Sequence, residues 1–242
     1  MKQLEIPAIT NPGISFTENT FAIMQSLHDC FKSTTQTKIP FKTFQETYKQ
    51  IDPTGDAKIR MLFPLSRKAG CIFPDEDGCV LFKTGSFFTP LGRSFFKASK
   101  LYYRVNSIAN NNSCQNSQEV KLMLEKSRRL YASLSSRLFE NLCESEQVYH
   151  HLLWFVGKYG PVSRDEVKIL LYSLEKNSPE RGKVIVCKRD EKEIDSLVKE
   201  FRSGQLHLHS DKANNAAGYF IAVLKTLLII VENDSHSFIV AT

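Results

Sequence analysis

Apolar residues recur at three- and four-residue steps through most of the chain, the spacing of helices that bury one side. Met1 to Thr17, interrupted by Pro7, Pro12 and Gly13, reads as an extended arm. From Thr20, Phe21, Met24, Leu27 and Phe31 form the first helical stripe. Pro40 opens a second helix, in which Phe41, Phe44, Tyr48 and Ile51 share a face, and the turn formers of residues 52 to 55 stop it. Asp56 caps a third, with Ile59, Leu62, Phe63 and Ser66 on one side and Arg60, Arg67 and Lys68 toward the other. Pro64 lies inside that run and either kinks it or confines its regular part to residues 56 to 63. Gly70 ends it, and Cys71 to Phe73 and Cys79 to Phe82 read as two strands around an acidic tip, residues 74 to 78.

Thr89 as cap and Pro90 as first residue predict a helix from Pro90 to about Val105. Ser107 to Ser117, with three asparagines in tandem and almost nothing apolar, reads as a linker. A long helix follows from Gln118 to Cys143, with Val120, Leu122, Met123, Leu130, Leu134 and Leu138 as its apolar stripe and Arg128, Arg129 and Arg137 on or beside its polar side. Val148 to Tyr159 is apolar enough for a buried helix ended by Gly160-Pro161. Ser163 and Glu166 then make a capping box for a helix running to about Lys176, with Arg164 and Lys168 outside. Residues 177 to 182 are a turn, Val184 to Cys187 a short apolar run, and Asp190 to Phe201 a charged helix with Ile194, Leu197, Val198 and Phe201 as its seam.

The last thirty residues, on which the chain's organisation turns, combine a helix capped by Asp211 with Ile229 to Val231 and Phe238 to Val240 around a polar tip. A capped helix followed at once by a hairpin is the layout of a winged-helix module, and residues 56 to 96 show a similar succession. The expected fold is therefore mainly α with small β-hairpins: tandem winged-helix domains joined by a polar linker and a long helix. Residues 1 to 106 would form the first domain with its arm, 107 to 117 the linker, and 118 to 242 a helical domain ending in the second module.

The 242 residues are 42% apolar and 24% charged, a soluble globular balance, and the longest apolar run is too short to cross a bilayer. With no secretory signal pattern at Met1 to Asn11, a cytoplasmic protein is expected, with no membrane partner. Six scattered cysteines lack zinc-ligand spacing, and adjacent His150 and His151 cannot share one helix face, so no metal or other cofactor is expected and the thiols read as reduced and buried or half-buried. The net charge of +6 is uneven: residues 1 to 105 hold 14 Lys and Arg against 9 Asp and Glu, the remainder 18 against 17. That places weak support for a phosphate-facing surface in the first half.

No catalytic constellation stands out. Asp56-Ala-Lys58 and Asp190-Glu-Lys192 match the short acid–spacer–lysine piece of a Mg²⁺ nuclease, but Asp56 serves as a cap and Asp190 opens a helix. Lys188 ends an apolar strand with Val186, not an acid, two residues before it. Phosphate-loop, nucleophile-elbow and zinc-protease motifs are missing.

Phe88-Thr-Pro-Leu-Gly-Arg93 after a wing, the helix–Tyr-Gly-Pro–capped-helix succession of Leu152 to Ser173, and Asn215 to Val231 before a final wing together resemble the DNA-recognition half of FokI-like and AlwI-like type IIS restriction endonucleases. The match is one of layout and short motifs across most of the chain. The resemblance implies sequence-specific binding of double-stranded DNA. Those enzymes continue into a cleavage domain, whereas this sequence stops at Thr242, so the resemblance implies a recognition module without its nuclease, as a fragment or a stand-alone reader, with a separate nuclease domain or subunit as a candidate partner. Arg60 would read guanine and Asn214 or Asn215 adenine, while Lys58, Arg67, Lys68, Arg93, Lys212 and Lys225 would hold phosphates. His236 sits at the wing tip, and Gly218, costly inside a helix, suggests close approach by backbone or DNA. The competing expectation is a tandem winged-helix accessory subunit of an SMC-type ATPase complex, which uses such faces for protein contacts.

Overall fold

The chain divides inside its longest helix: residues 14–141 form a first unit, and residues 1–13 with 142–242 a second. The structure, a computed structural model, describes residues 2–4, 14–53, 56–111, 117–177, 184–187, 189–208 and 211–241; residues 2–4, 56–57, 175–177, 184–187 and 211–214 are described by backbone alone. Strand β1 (Lys2–Leu4) belongs to the second unit; residues 1 and 5–13 of the arm, and most of the turn expected at 177 to 182, lie outside the described residues.

In the first unit, Thr17 accepts from Thr20 N to cap α1 (Glu18–Phe31), which buries Phe21, Met24 and Leu27 as the stripe predicts. Strand β2 (Lys38–Pro40), α2 (Phe41–Ile51) and α3 (Asp56–Lys68) follow. Helix α3 runs unbroken through Pro64, so its face is not cut at residue 63. The expected pairing of Cys71–Phe73 with Cys79–Phe82 is replaced. Strand β3 (Cys79–Leu81) takes β2 as its antiparallel partner, Val80 opposite Ile39, while Ile72 pairs with Phe88. The acidic tip is a tight turn at Asp77 and Gly78, both left-handed, which lets Glu76 and Cys79 exchange backbone hydrogen bonds.

Helix α4 (Pro90–Ala109) extends through residues expected to belong to the linker. Its Phe95 and Tyr102 stack on Tyr131 of α5 (Gln118–Ser145), and Asn141 donates to the Ala69 carbonyl at 3.0 Å. These contacts bind α5 into the first unit as far as Asn141, so the boundary is not at residues 107 to 117; of that stretch, residues 112–116 lie outside the described residues. The buried seam of α5 passes through Ser127, Tyr131, Ser135 and Leu138, leaving Leu122, Met123 and Leu130 of the expected apolar stripe exposed. The core of this unit is aromatic, with Phe44, Phe63 and Phe87 fully buried and in mutual ring contact. Of the described thiols, Cys71 is buried, but Cys30 is exposed, contrary to the expectation of buried cysteines.

In the second unit, α6 (Gln147–Tyr159) is followed by Val162 and by α7 (Arg164–Ser173), started by the expected Ser163–Glu166 capping box. Helix α7 ends three residues early, because Leu174 begins β4 (Leu174–Asn177), which pairs antiparallel with β5 (Val184–Cys187). Lys168 is buried rather than outside, its ammonium paired with Asp165. Helix α8 (Glu191–Arg202), capped by Asp190, is tied down by Arg202, whose Nε donates to the buried Glu166 at 2.6 Å and whose Nη2 donates to the Tyr159 carbonyl at 2.8 Å. Strand β6 (Leu206–Leu208) runs parallel to β1. Helix α9 (Asp211–Thr226) then leads into the hairpin of β7 (Ile230–Glu232) and β8 (Phe238–Val240), where the last residues were expected to place it. Phe238 also pairs with Val162, so the hairpin closes on the segment between α6 and α7. The described residues are thus mainly helical, with small two-stranded sheets.

Candidate nucleic-acid interface

Helix α9 packs against α7 and buries Ala217, Phe220, Val223 and Leu224, with Phe220 edge-on to Tyr149 of α6, while Asn215 and Tyr219 are exposed. Lys212 and Asn214 occupy its first turn, but their side chains lie outside the described residues. A Cβ at Gly218 would lie 2.7 Å from Nη2 of Arg164. The close approach that the glycine suggested is therefore made by a guanidinium of the same unit, brought there by the first turn of α7. Arg164 escaped the sequence reading because a capping-box position gives no sign of which neighbouring helix its side chain crosses.

Gly218→Ala tests this directly. Alanine gains about 1 kcal/mol inside a helix, and the obstacle is the far end of a flexible side chain, so the substitution is expected to be neutral or to stabilise by up to about 1 kcal/mol. A thermal melt that shows a clear loss instead would mean that something rigid fills the place.

The end of α9 and the wing form one charged cluster. Lys225 pairs with Glu232 of β7 and lies over the Phe238 ring at 5.8 Å. His236, at the hairpin tip with φ 56°, places Nδ1 2.9 Å from the same carboxylate. Hydrogen bonds from Lys225 and His236 hold the Glu232 carboxyl below the usual carboxylate range. Lys225, expected to hold phosphate, and His236, expected at the DNA interface as the wing tip, thus share one acid within the unit.

The first unit repeats the pattern. Lys58 lies 3.0 Å from Asp52, and Arg67 pairs with Asp75 at the acidic tip, where burial lowers the guanidinium pKa. Arg60 is exposed on α3 one heptad before Arg67, so the unbroken helix does carry both on one face, but Arg67 turns to its own loop. Lys68, the residue after Arg67, is half-buried, and Arg93 is half-buried in the first turn of α4. The structure therefore groups Lys225 with His236, and Arg60 with Arg67 on α3; Arg93 stands on a different helix.

Asp190, one of the acid–spacer–lysine matches, accepts from Glu193 N at 2.8 Å as the cap of α8. Among the described residues, His, Cys, Asp and Glu side chains form no group of three that could hold a metal ion, and no helix is long and apolar enough to cross a membrane. Comparison with family models, with curated proteins and with solved structures finds no match.

Proposed function

We propose that the chain binds double-stranded DNA sequence-selectively through two winged-helix modules, one in each unit, with α3 and α9 as the helices presented to the major groove. The observation that supports this reading is the pairing of a late segment of each unit with the segment between its first two helices: strand β3 with β2, and Phe238 of the β7–β8 hairpin with Val162. In this reading the first unit runs helix, strand, helix, helix, wing, and the second follows the same order with Val162 in the strand's place and with the β4–β5 hairpin, α8 and β6 inserted between α7 and α9. Exposed Asn215 and Arg60 are the base readers in this reading, and neither needs a bound metal. Work as the recognition part of a restriction endonuclease, with a separate nuclease doing the chemistry, is the setting offered by the sequence resemblance.

The test is a titration of the full chain against fixed-sequence and random duplexes at two salt concentrations. Affinity is expected to fall with salt, and Asn215→Ala and Arg60→Ala are expected to change the ranking of duplexes by about 1–3 kcal/mol at the positions they read. Absence of binding to every duplex at low salt would sink the proposal.

One observation favours the accessory-subunit reading. Lys58, Arg67, Lys225 and His236 each have an acidic partner inside their own unit, which lowers the field either face offers to phosphate. Surface pairs of this kind are worth only about 0–1 kcal/mol and exchange readily for a phosphate, so they weaken the DNA reading without replacing it.

A further inference from the structure

We propose that the outer face of α4 docks an acidic amphipathic helix of a partner protein. The inference concerns a face other than those of α3 and α9 and does not depend on the DNA reading.

Helix α4 carries Arg93, Lys97, Lys100 and Arg104 and no acidic residue over its twenty positions. Steps of four, three and four bring the four cations into about 60° of arc at about 100° per residue. Leu101 and Ile108 continue the same arc and are 46% and 40% exposed. The direction of this face is fixed from inside: Phe95, Ala98, Ser99 and Val105 are buried, and Tyr102 stacks on Tyr131 with ring planes 7° apart. On the other flank of the cations, Phe21, Phe96 and Tyr103 line a cleft of about 290 Å³ between α1 and α4, with Lys100 and Glu18 at its rim. A basic ridge therefore runs between two apolar strips.

Unlike Lys58 and Arg67 of α3 and Lys225 of α9, these four have neither an ion pair nor a side-chain hydrogen bond among the described residues. Like charges at three- and four-residue spacing oppose the helix that carries them, and no acid on α4 offsets them. A phosphodiester chain would neutralise the ridge but leave Leu101, Ile108 and the cleft in water. A helix with carboxylates at matching spacing and an apolar edge satisfies both, in the manner of helix-in-groove recognition. The ridge from Arg93 to Arg104 is roughly 16 Å long at 1.5 Å per residue, so about three turns of partner helix cover it.

The test uses the intact chain and two labelled synthetic peptides of one composition, rich in Glu and Leu. The first has its leucines on one helical face, and the second has them scattered. Fluorescence anisotropy is expected to show the patterned peptide binding roughly tenfold more tightly than the scattered one. A Lys97→Glu, Arg104→Glu double variant and Leu101→Asp should each weaken the patterned peptide by roughly tenfold, whereas Lys192→Glu on α8 should leave it unchanged; thermal melts establish that all variants fold. Duplex binding measured alongside is expected to stay within about twofold for Leu101→Asp, so this proposal and the DNA reading fail separately. Lack of binding by the patterned peptide would overturn the proposal. So would equal binding of both peptides with Leu101→Asp silent, the behaviour of a ridge that reads charge alone, as a nucleic-acid backbone track would.

Discussion

Replacing Gly92 with alanine is expected to cost roughly 3 kcal/mol or more, at or above the top of the range for overpacked interiors, and so to take away a large part of the stability of the first unit. The added carbon would stand 1.9 Å from the Cys71 carbonyl oxygen and 2.8 Å from its Cα. Both are backbone atoms, which cannot step aside as a side chain can. Nor can the helix retreat. Thr89 N donates to Cys71 O at 3.0 Å, Thr89 Oγ1 donates to Gly70 O at 2.6 Å, and Gly92 N donates back to that hydroxyl at 2.9 Å. The cap of α4 is thus tied to the Gly70–Cys71 backbone that the new methyl would strike. Gly157 provides the contrast: it too is inside a helix, but a Cβ there meets only Val240 Cγ2 at 3.9 Å, so Gly157→Ala is expected to stabilise by about 1 kcal/mol. Denaturant midpoints, with hydrogen exchange over residues 14–141, check both. Equal midpoints for wild type and Gly92→Ala would refute the close contact of α4 with the Cys71 backbone.

Phe44→Ala is the second large effect, expected to cost about 3–5 kcal/mol. Its side chain is fully buried, and its ring centroid lies 4.4 Å from that of Phe31, 5.4 Å from Phe63, 5.5 Å from Phe87 and 5.9 Å from Phe82. The cavity would be walled by rings from α1, from α3 and from the segment between β3 and α4, none of which can collapse into it without leaving the others. Phe41→Ala, at the half-buried edge of the same cluster, is expected to cost clearly less. Similar melting for the two variants would mean that Phe44 is not at the centre of the core.

The helices were legible because each buries one face locally. Phe21, Met24 and Leu27, or Ile194, Leu197 and Val198, announce a helix whatever they pack against. The caps at Thr89, Ser163 and Asp190 were legible for the same reason, since side chain and backbone partner lie three residues apart. Strand pairing was not. Cys71 to Phe73 and Cys79 to Phe82 have strand composition, but nothing local says that β3 prefers β2, forty residues earlier, to its neighbour in sequence. The candidate site was legible only as residue types: that Lys58, Arg67 and Lys225 find acids in their own units depends on how loops and strands return to the helices. Lys97, Lys100 and Arg104 were available at helical spacing beside Arg93, and the missing acids of α4 were the signal that could have drawn attention to them.

The sequence by itself determined a mainly helical chain, the places where most helices start, and the closing helix and hairpin of residues 211 to 240. Those features depend on interactions spanning a few residues, which composition and period encode. The tertiary structure alone decided that the boundary falls at Asn141 rather than at the asparagine-rich stretch, that Gly218 makes room for Arg164, and which cations stay unpaired. Each of these depends on contacts between segments distant in the chain, where many partners are chemically equivalent and only packing selects one.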